Sequence, residues 1–251
     1  RDGAATMAVL RVMTEAGVVG RYVPEFGDIV ARTQFNMYHR YTVDEHTLQA
    51  LGLLREIEDG LHPLDHPLVT RLAPLVQNRR ALHLAVLLHD TGKGAGDQCI
   101  EGAARAMTAC ERMGLGEAET ELVSWLIANH LLMSDTAQRR DLSDPQTVAD
   151  FAAAIGTVER LRLLTVLTVV DIRSVGPGVW NGWKGQLIRE LYAATEQVLS
   201  SEGDNLQLAR ETLADKAELA RKRIRPRLER VNPAFAAWWA SELNDAYWTA
   251  F

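Results

Sequence analysis

Apolar residues recur three and four positions apart along nearly the whole chain, and runs of strict alternation are short and few, so the pattern predicts helices throughout. The clearest start is "TVDEHTLQALGLLREIEDG", where Thr42 as N-cap and Glu45 three residues on form a capping box and Gly60 supplies the stop. That places His46 in the first turn. After the Pro-rich "HPLDHP" comes a short helix near Val69 to Val76, then "RRALHLAVLLHDTGKG", whose helix ends near Asp90 because Gly92 and Gly94 disfavour continuation. Further helices are predicted at about 99–113, 118–132, 145–155 and 157–174, the third with Asp144 as N-cap and Pro145 at N1. "GPGVWNGWKGQ" reads as a turn. A helix then runs to about Leu199, and another from Leu206 to Arg223 stops near Pro226. The fold class is all-α.

Length and composition narrow the picture. At 251 residues and 47% hydrophobic content the chain can bury a sizeable core. With 27 Lys plus Arg against 33 Asp plus Glu, and no dense basic run, nucleic acid is disfavoured as a partner. Cys99 and Cys110 are too few for a disulfide framework, and no signal peptide or spanning segment is present, which implies a cytoplasmic location without a membrane partner. The opening "RDGAATMAVLRVMTEAG" is already amphipathic and starts at Arg1, as expected of a piece of a longer protein.

The polar residues that interrupt apolar helices carry the chemistry. His89 and Asp90 lie where a buried helix gives way to a glycine turn; at a fraying C-terminal turn both side chains can converge on one ion. By itself the dipeptide reads as readily as a helix-end histidine bonded to a carbonyl beside a solvated aspartate. Asp171 closes the apolar run "LRLLTVLTVVDIR", and a carboxylate on so central a helix requires a cation or a metal. His130, in "WLIANHLLMS", again follows an apolar run. Imidazoles and carboxylates at the ends of core helices are how a bundle builds an interior metal site.

The order His, His-Asp, Asp is that of the HD superfamily of metal-dependent phosphohydrolases. "YHRYTVDEHTLQAL", "LAVLLHDTGKG", "ANHLLMSDTAQRRDLSDPQTVADFA" and "VLTVVDIRSVGPGVWNGWKGQLIRELY" resemble the HD domain of the bifunctional uridylyltransferase/uridylyl-removing family, densely from about Gly20 to Leu191. The resemblance implies an HD-domain helical bundle over residues 1–200, and a C-terminal helical extension over 201–251. In that family a nucleotidyltransferase domain precedes this region and two glutamine-sensing ACT domains follow it; neither is evident in this sequence.

Carried over residue by residue, the family pattern makes His46, His89, Asp90 and Asp171 the ligands of a divalent metal, with manganese or magnesium favoured and iron or zinc compatible. It implies removal of UMP from a uridylylated tyrosine of the PII signalling protein. Lys93 and His130 would hold the phosphate charge, and Asp90 would orient a water or accept its proton. The departure is Gln98, where many members carry histidine; an amide is a poor ligand, so a second metal would rest on His130 with Asp97 or Glu101. Two alternatives stand beside this reading: a nucleotide phosphohydrolase, and a regulatory HD module that has lost catalysis. Trp180 and Trp183 read as packing in preference to stacking on a nucleobase, and His62, His66 and His83 as loop or core residues.

Overall fold

The computed structural model describes residues 3–33, 41–94 and 96–200. Among these the regular structure is helical, with no strand. Three helices open the chain: α1 (Gly3–Glu15), α2 (Val18–Tyr22) and α3 (Pro24–Gly27). Then follow α4 (Val43–Glu58), α5 (Pro67–Leu72) with a 3₁₀ turn at Ala73–Leu75, and α6 (Arg79–Leu88). The series continues with α7 (Gln98–Arg112), α8 (Glu117–Ala128), α9 (Leu132–Arg139), α10 (Pro145–Ile155) and α11 (Val158–Ser174). A further helix, α12, covers 182–200. None of the helices among the described residues is long and apolar enough to cross a membrane.

The core is built on α11, which is apolar on almost every side. Leu161, Leu163, Leu164, Val166, Leu167, Val169 and Val170 are all buried, and each such side chain contributes about 2 kcal/mol by leaving water. Helices α4, α5, α6, α8, α9 and α10 pack around it. Helices α4 and α6 run antiparallel, and their register is pinned at the end away from His46. There the nearly buried Glu58 carboxylate accepts from Arg79 Nε at 3.1 Å and lies 3.1 Å from His83 Nε2. Pinning that end brings the start of α4 against the end of α6, where His46 and His89 lie.

Several helix ends depart from expectation. Thr42 is the N-cap of α4 but its side chain caps nothing, and no capping box forms. Glu45 instead takes a two-pronged ion pair from Arg11 of α1, because two charge-assisted bonds outweigh one bond to a backbone N–H. The stop at Gly60 is as expected: at φ 75° it lets Gly60 N donate to Ile57 O and Leu61 N to Glu56 O, the paired bonds of a Schellman turn. Helix α5 begins at Pro67, ahead of the expected Val69, since proline is preformed for a first helical position. Helix α8 ends at Ala128 in place of residue 132, and the unforeseen α9 follows. Asp144 caps α10 by accepting from Gln146 N, as expected. The turn after α11 is shorter than expected, because Asn181 Oδ1 accepts from Lys184 N and starts α12 inside "NGWKGQ". The expected helix from Leu206 to Arg223 lies outside the described residues.

Of the three histidines assigned to loop or core, His62 pairs with Glu56 at 2.7 Å and His83 with Glu58 at 3.1 Å. His66, at the N-cap position of α5, is buried with its ring edge-on to Trp180 at 5.3 Å. Burial first, then the nearby His62 and Arg173, push its pKa down from 6.5 to about 4 against the opposing charge of Asp65. The unfolded chain therefore binds a proton that the folded chain refuses between about pH 6.5 and 4, so stability falls as pH falls through that window. The expected loss is about 2 kcal/mol between pH 7.5 and 5. Urea unfolding at the two pH values checks it, and His66→Phe should flatten the slope.

Candidate metal centre

Each chemical side chain is delivered by a helix end. His46 comes from the first turn of α4, His89 is the C-cap of α6 with Asp90 after it, and Asp171 lies in the last turn of α11. His130 occupies the break between α8 and α9, where Asn129 has left helical geometry. These ends meet in the interior. His46, His89, Asp90 and His130 are 1–3% exposed, while the Asp171 side chain, at 17%, is the donor that reaches solvent.

Four donor atoms converge. His46 Nε2 lies 3.2 Å from His89 Nε2, 3.5 Å from Asp90 Oδ2 and 3.1 Å from Asp171 Oδ1. His89 Nε2 lies 3.4 Å from Asp90 Oδ2 and 3.6 Å from Asp171 Oδ1. Adjacent ligands held about 2.1 Å from one ion in a tetrahedral site stand about 3.4 Å apart, and these five separations, each involving an imidazole, bracket that value. His46, His89 and Asp90 each bring one donor atom within 4.8 Å of the other two, and Asp171 joins through the two imidazoles.

The protons point the same way. His89 Nδ1 donates to Val86 O at 2.8 Å, so its Nε2 presents a lone pair to the cage in the neutral ring. Asp90 Oδ2 is buried without a hydrogen bond; the Lys93 ammonium lies 2.6 Å away, an ionic contact lacking hydrogen-bond alignment. Two imidazole nitrogens and two carboxylates facing one point, one oxygen unbonded, fit a divalent cation.

The electrostatics describe a pocket that attracts positive charge. Burial opposes protonation of His89, but Asp90 and Asp171 overcome it and raise the pKa to about 9. Burial would also raise Asp90 and Asp171, yet their imidazole neighbours hold both carboxylates below the usual range, with Lys93 adding to the effect at Asp90. His130 is different. Its Nδ1 donates to Ile127 O at 2.7 Å, and burial followed by the His89 charge lowers its pKa. Its ring stands 5.5 Å from that of His89, beside the four donors and outside their cage.

Lys93 is 12% exposed and anchored to Asp90 from the turn after α6. The backbone of that turn is held in place: Arg32 donates to Lys93 O, and its guanidinium lies over Gly94. Asp97 is occupied as the N-cap of α7, accepting from Cys99 N at 2.9 Å, and Glu101 is exposed. Two neighbours were not foreseen. Cys99 Sγ lies 3.8 Å from His130 Nδ1, and Ser174 Oγ lies 3.3 Å from His46 Nδ1. For Ser174 the sequence held one signal, its position three residues after Asp171 on the same helix. Trp180 packs against His66, and Trp183 is exposed.

The HD domain family model matches residues 43–171, from the first residue of α4 to the carboxylate on α11. The chain is 56% identical over its whole length to a bifunctional uridylyltransferase/uridylyl-removing enzyme of Phenylobacterium zucineum. It is 52% identical over 99% of its length to the enzyme of that name from Caulobacter vibrioides, and 49% over 96% to that of Novosphingobium aromaticivorans. In each case the chain spans 26% of the relative's length. With the match reaching over half of its residues and enclosing all four donors, this chain belongs to the HD domain family.

Proposed function

We propose that this chain is a metal-dependent phosphodiesterase that releases UMP from a uridylylated tyrosine of the PII signalling protein. The observation that carries it is the meeting of His46, His89, Asp90 and Asp171, with each carboxylate 3.1–3.6 Å from both imidazoles and the imidazoles 3.2 Å apart, in a chain about half identical to uridylyl-removing relatives. In this reading residues 1–200 are the hydrolase and 201–251 a C-terminal extension of it.

The four donors would hold a divalent ion, manganese or magnesium by the hardness of two carboxylates. The chemistry such an ion supplies is Lewis acidity, which polarises a phosphoryl oxygen and makes water more acidic near neutral pH. Lys93 moves its ammonium from Asp90 to a phosphate oxygen, exchanging one anion for another. His130, neutral and with its proton held on Nδ1 by Ile127 O, presents an Nε2 lone pair that accepts from the water and cannot donate to a phosphate oxygen, which leaves the phosphate charge to Lys93. Asp90, its pKa held low, suits ligation and orientation of water more than acceptance of its proton. Departure of a phenol, with a pKa of about 10, needs less protonation than an alkyl alcohol would. The test is UMP release from uridylylated PII with added manganese. Hydrolysis of free nucleotides with none of the protein-bound UMP would replace this reading by that of a nucleotide phosphohydrolase.

One tight metal equivalent is expected. Gln98 stands where a histidine would strengthen a second position, Asp97 is committed to capping α7, and Glu101 is exposed, so His130 would hold a second ion almost alone. Manganese titration should give one tight equivalent supporting most of the turnover, and Gln98→His should raise occupancy of a second. Two equally tight equivalents in the unmodified chain would refute the mononuclear reading.

A further inference from the structure

We infer that Ser174 is a positioning residue for the metal centre: its hydroxyl fixes His46 as the Nδ1–H tautomer and so turns the Nε2 lone pair into the donor cage. The role presupposes the metal centre proposed above and adds to it a residue outside the four donors.

The three buried imidazoles of the site differ in what orients them. His89 and His130 each place Nδ1 on the carbonyl three residues earlier in the chain, Val86 O at 2.8 Å and Ile127 O at 2.7 Å. For His46 the carbonyl three residues earlier, Val43 O, accepts instead from Thr47 Oγ1 at 2.9 Å. His46 lies in the first turn of α4, and the partner at its Nδ1 is supplied by another helix, as Ser174 Oγ at 3.3 Å from the end of α11. The hydroxyl has a single proton. Oγ lies 2.7 Å from Val170 O and 2.9 Å from Asp171 O, and a proton directed to these carbonyls leaves only lone pairs for the imidazole. The bond to His46 therefore runs from Nδ1–H to Oγ, and in the neutral ring Nε2 carries no proton and turns its lone pair toward His89, Asp90 and Asp171. With the opposite tautomer the Nε2 proton would occupy the place of the ion.

The same hydroxyl joins two donor-bearing helices. Ser174 is 4% exposed and follows Asp171 by three residues, so one side chain ties the α11 carboxylate to the α4 imidazole across 128 positions of sequence. Partners of this kind, which hold the far nitrogen of a ligating histidine, change metal affinity by about 10- to 100-fold when removed.

The experiment uses the full chain, the Ser174→Ala and Ser174→Thr variants, and manganese as the probe. Free manganese is followed by electron paramagnetic resonance during titration, and ring-nitrogen NMR of the chelator-stripped protein at mildly alkaline pH reads the tautomers. The His46 signal is identified by its loss in His46→Gln. Expected results are a proton on His46 Nδ1 in the unmodified chain, an increased Nε2–H population in Ser174→Ala, and manganese affinity lower by about 10- to 100-fold in that variant. Threonine, which retains the hydroxyl and the bond to the carbonyl four residues back, should restore both. Circular dichroism and melting establish that the variants fold; should the alanine variant not fold, the tautomer of the unmodified and threonine forms decides. A bare Nδ1 in the unmodified chain, or equal manganese affinity in folded Ser174→Ala, would overturn the role of Ser174 alone. An unmodified chain that binds no manganese would overturn the metal centre, and this role with it.

Discussion

Replacing Asp90 by alanine is expected to abolish hydrolysis while leaving the helical fold nearly intact. Asp90 Oδ2 lies 3.5 and 3.4 Å from the two Nε2 atoms and 2.6 Å from the Lys93 ammonium, and it makes no hydrogen bond. It therefore contributes charge to the cage and little to the packing. Its loss removes a donor, lets the His89 pKa fall back from about 9, and frees Lys93, whose side chain can relax into water. Turnover should drop by about a thousandfold or more, equivalent to at least about 4 kcal/mol of transition-state stabilisation. Melting should shift by only a few degrees, because removing one anion from between cations empties a charged site without opening an apolar cavity. Asp90→Asn keeps the shape without the charge and should fail almost as completely. UMP release at the normal rate by Asp90→Ala under limiting manganese would refute the ligand assignment.

His89, Asp90 and Asp171 were legible in the sequence because each closes an apolar run, and His46 because it stands in the first turn of a helix with a marked start. A histidine or aspartate at the end of a helix such as "LRLLTVLTVV" is conspicuous, since burying it requires a partner. Asp144, Pro145 and Gly60 likewise marked their helix ends through local chemistry alone, and the structure places them there. Where a distant partner competed, local signals misled. The Thr42 and Glu45 pair has the spacing of a capping box, but Glu45 is drawn to Arg11, 34 residues earlier. Helix α9, "LMSDTAQR", is polar over most of its length, and its buried Met133 and Ala137 form too sparse a stripe to stand out. Ser174 carried only the weak signal of its spacing from Asp171. A serine at a helix end is ordinary, and only the approach of α4 gives its hydroxyl a histidine to orient.

Gly92 extends that contrast to the backbone. From sequence it reads as a residue that ends α6, a role many residues could share. The structure adds a stricter demand, because a Cβ on Gly92 would lie 2.1 Å from Gln98 O and 2.5 Å from Gly102 N. Both are backbone atoms of α7 and neither can swing aside, so the turn and the first turns of α7 must part. The contact is close at Gly102 too, whose own added Cβ would lie 3.1 Å from Ile127 Cγ2 and 3.4 Å from Gly92 N. Gly92→Ala should cost about 3 kcal/mol or more, at the upper end of overpacking effects. It should also loosen manganese binding, since Asp90 and Lys93 lie on the turn that must move. Gly116→Ala is the control, at an ordinary φ of −69° with nothing within 4 Å of the added Cβ, and it should melt with the unmodified chain. Chemical unfolding of the two variants with manganese titration decides the matter: a Gly92→Ala protein as stable as Gly116→Ala and as tight for metal would mean that the turn does not pack against α7 as closely as these distances require.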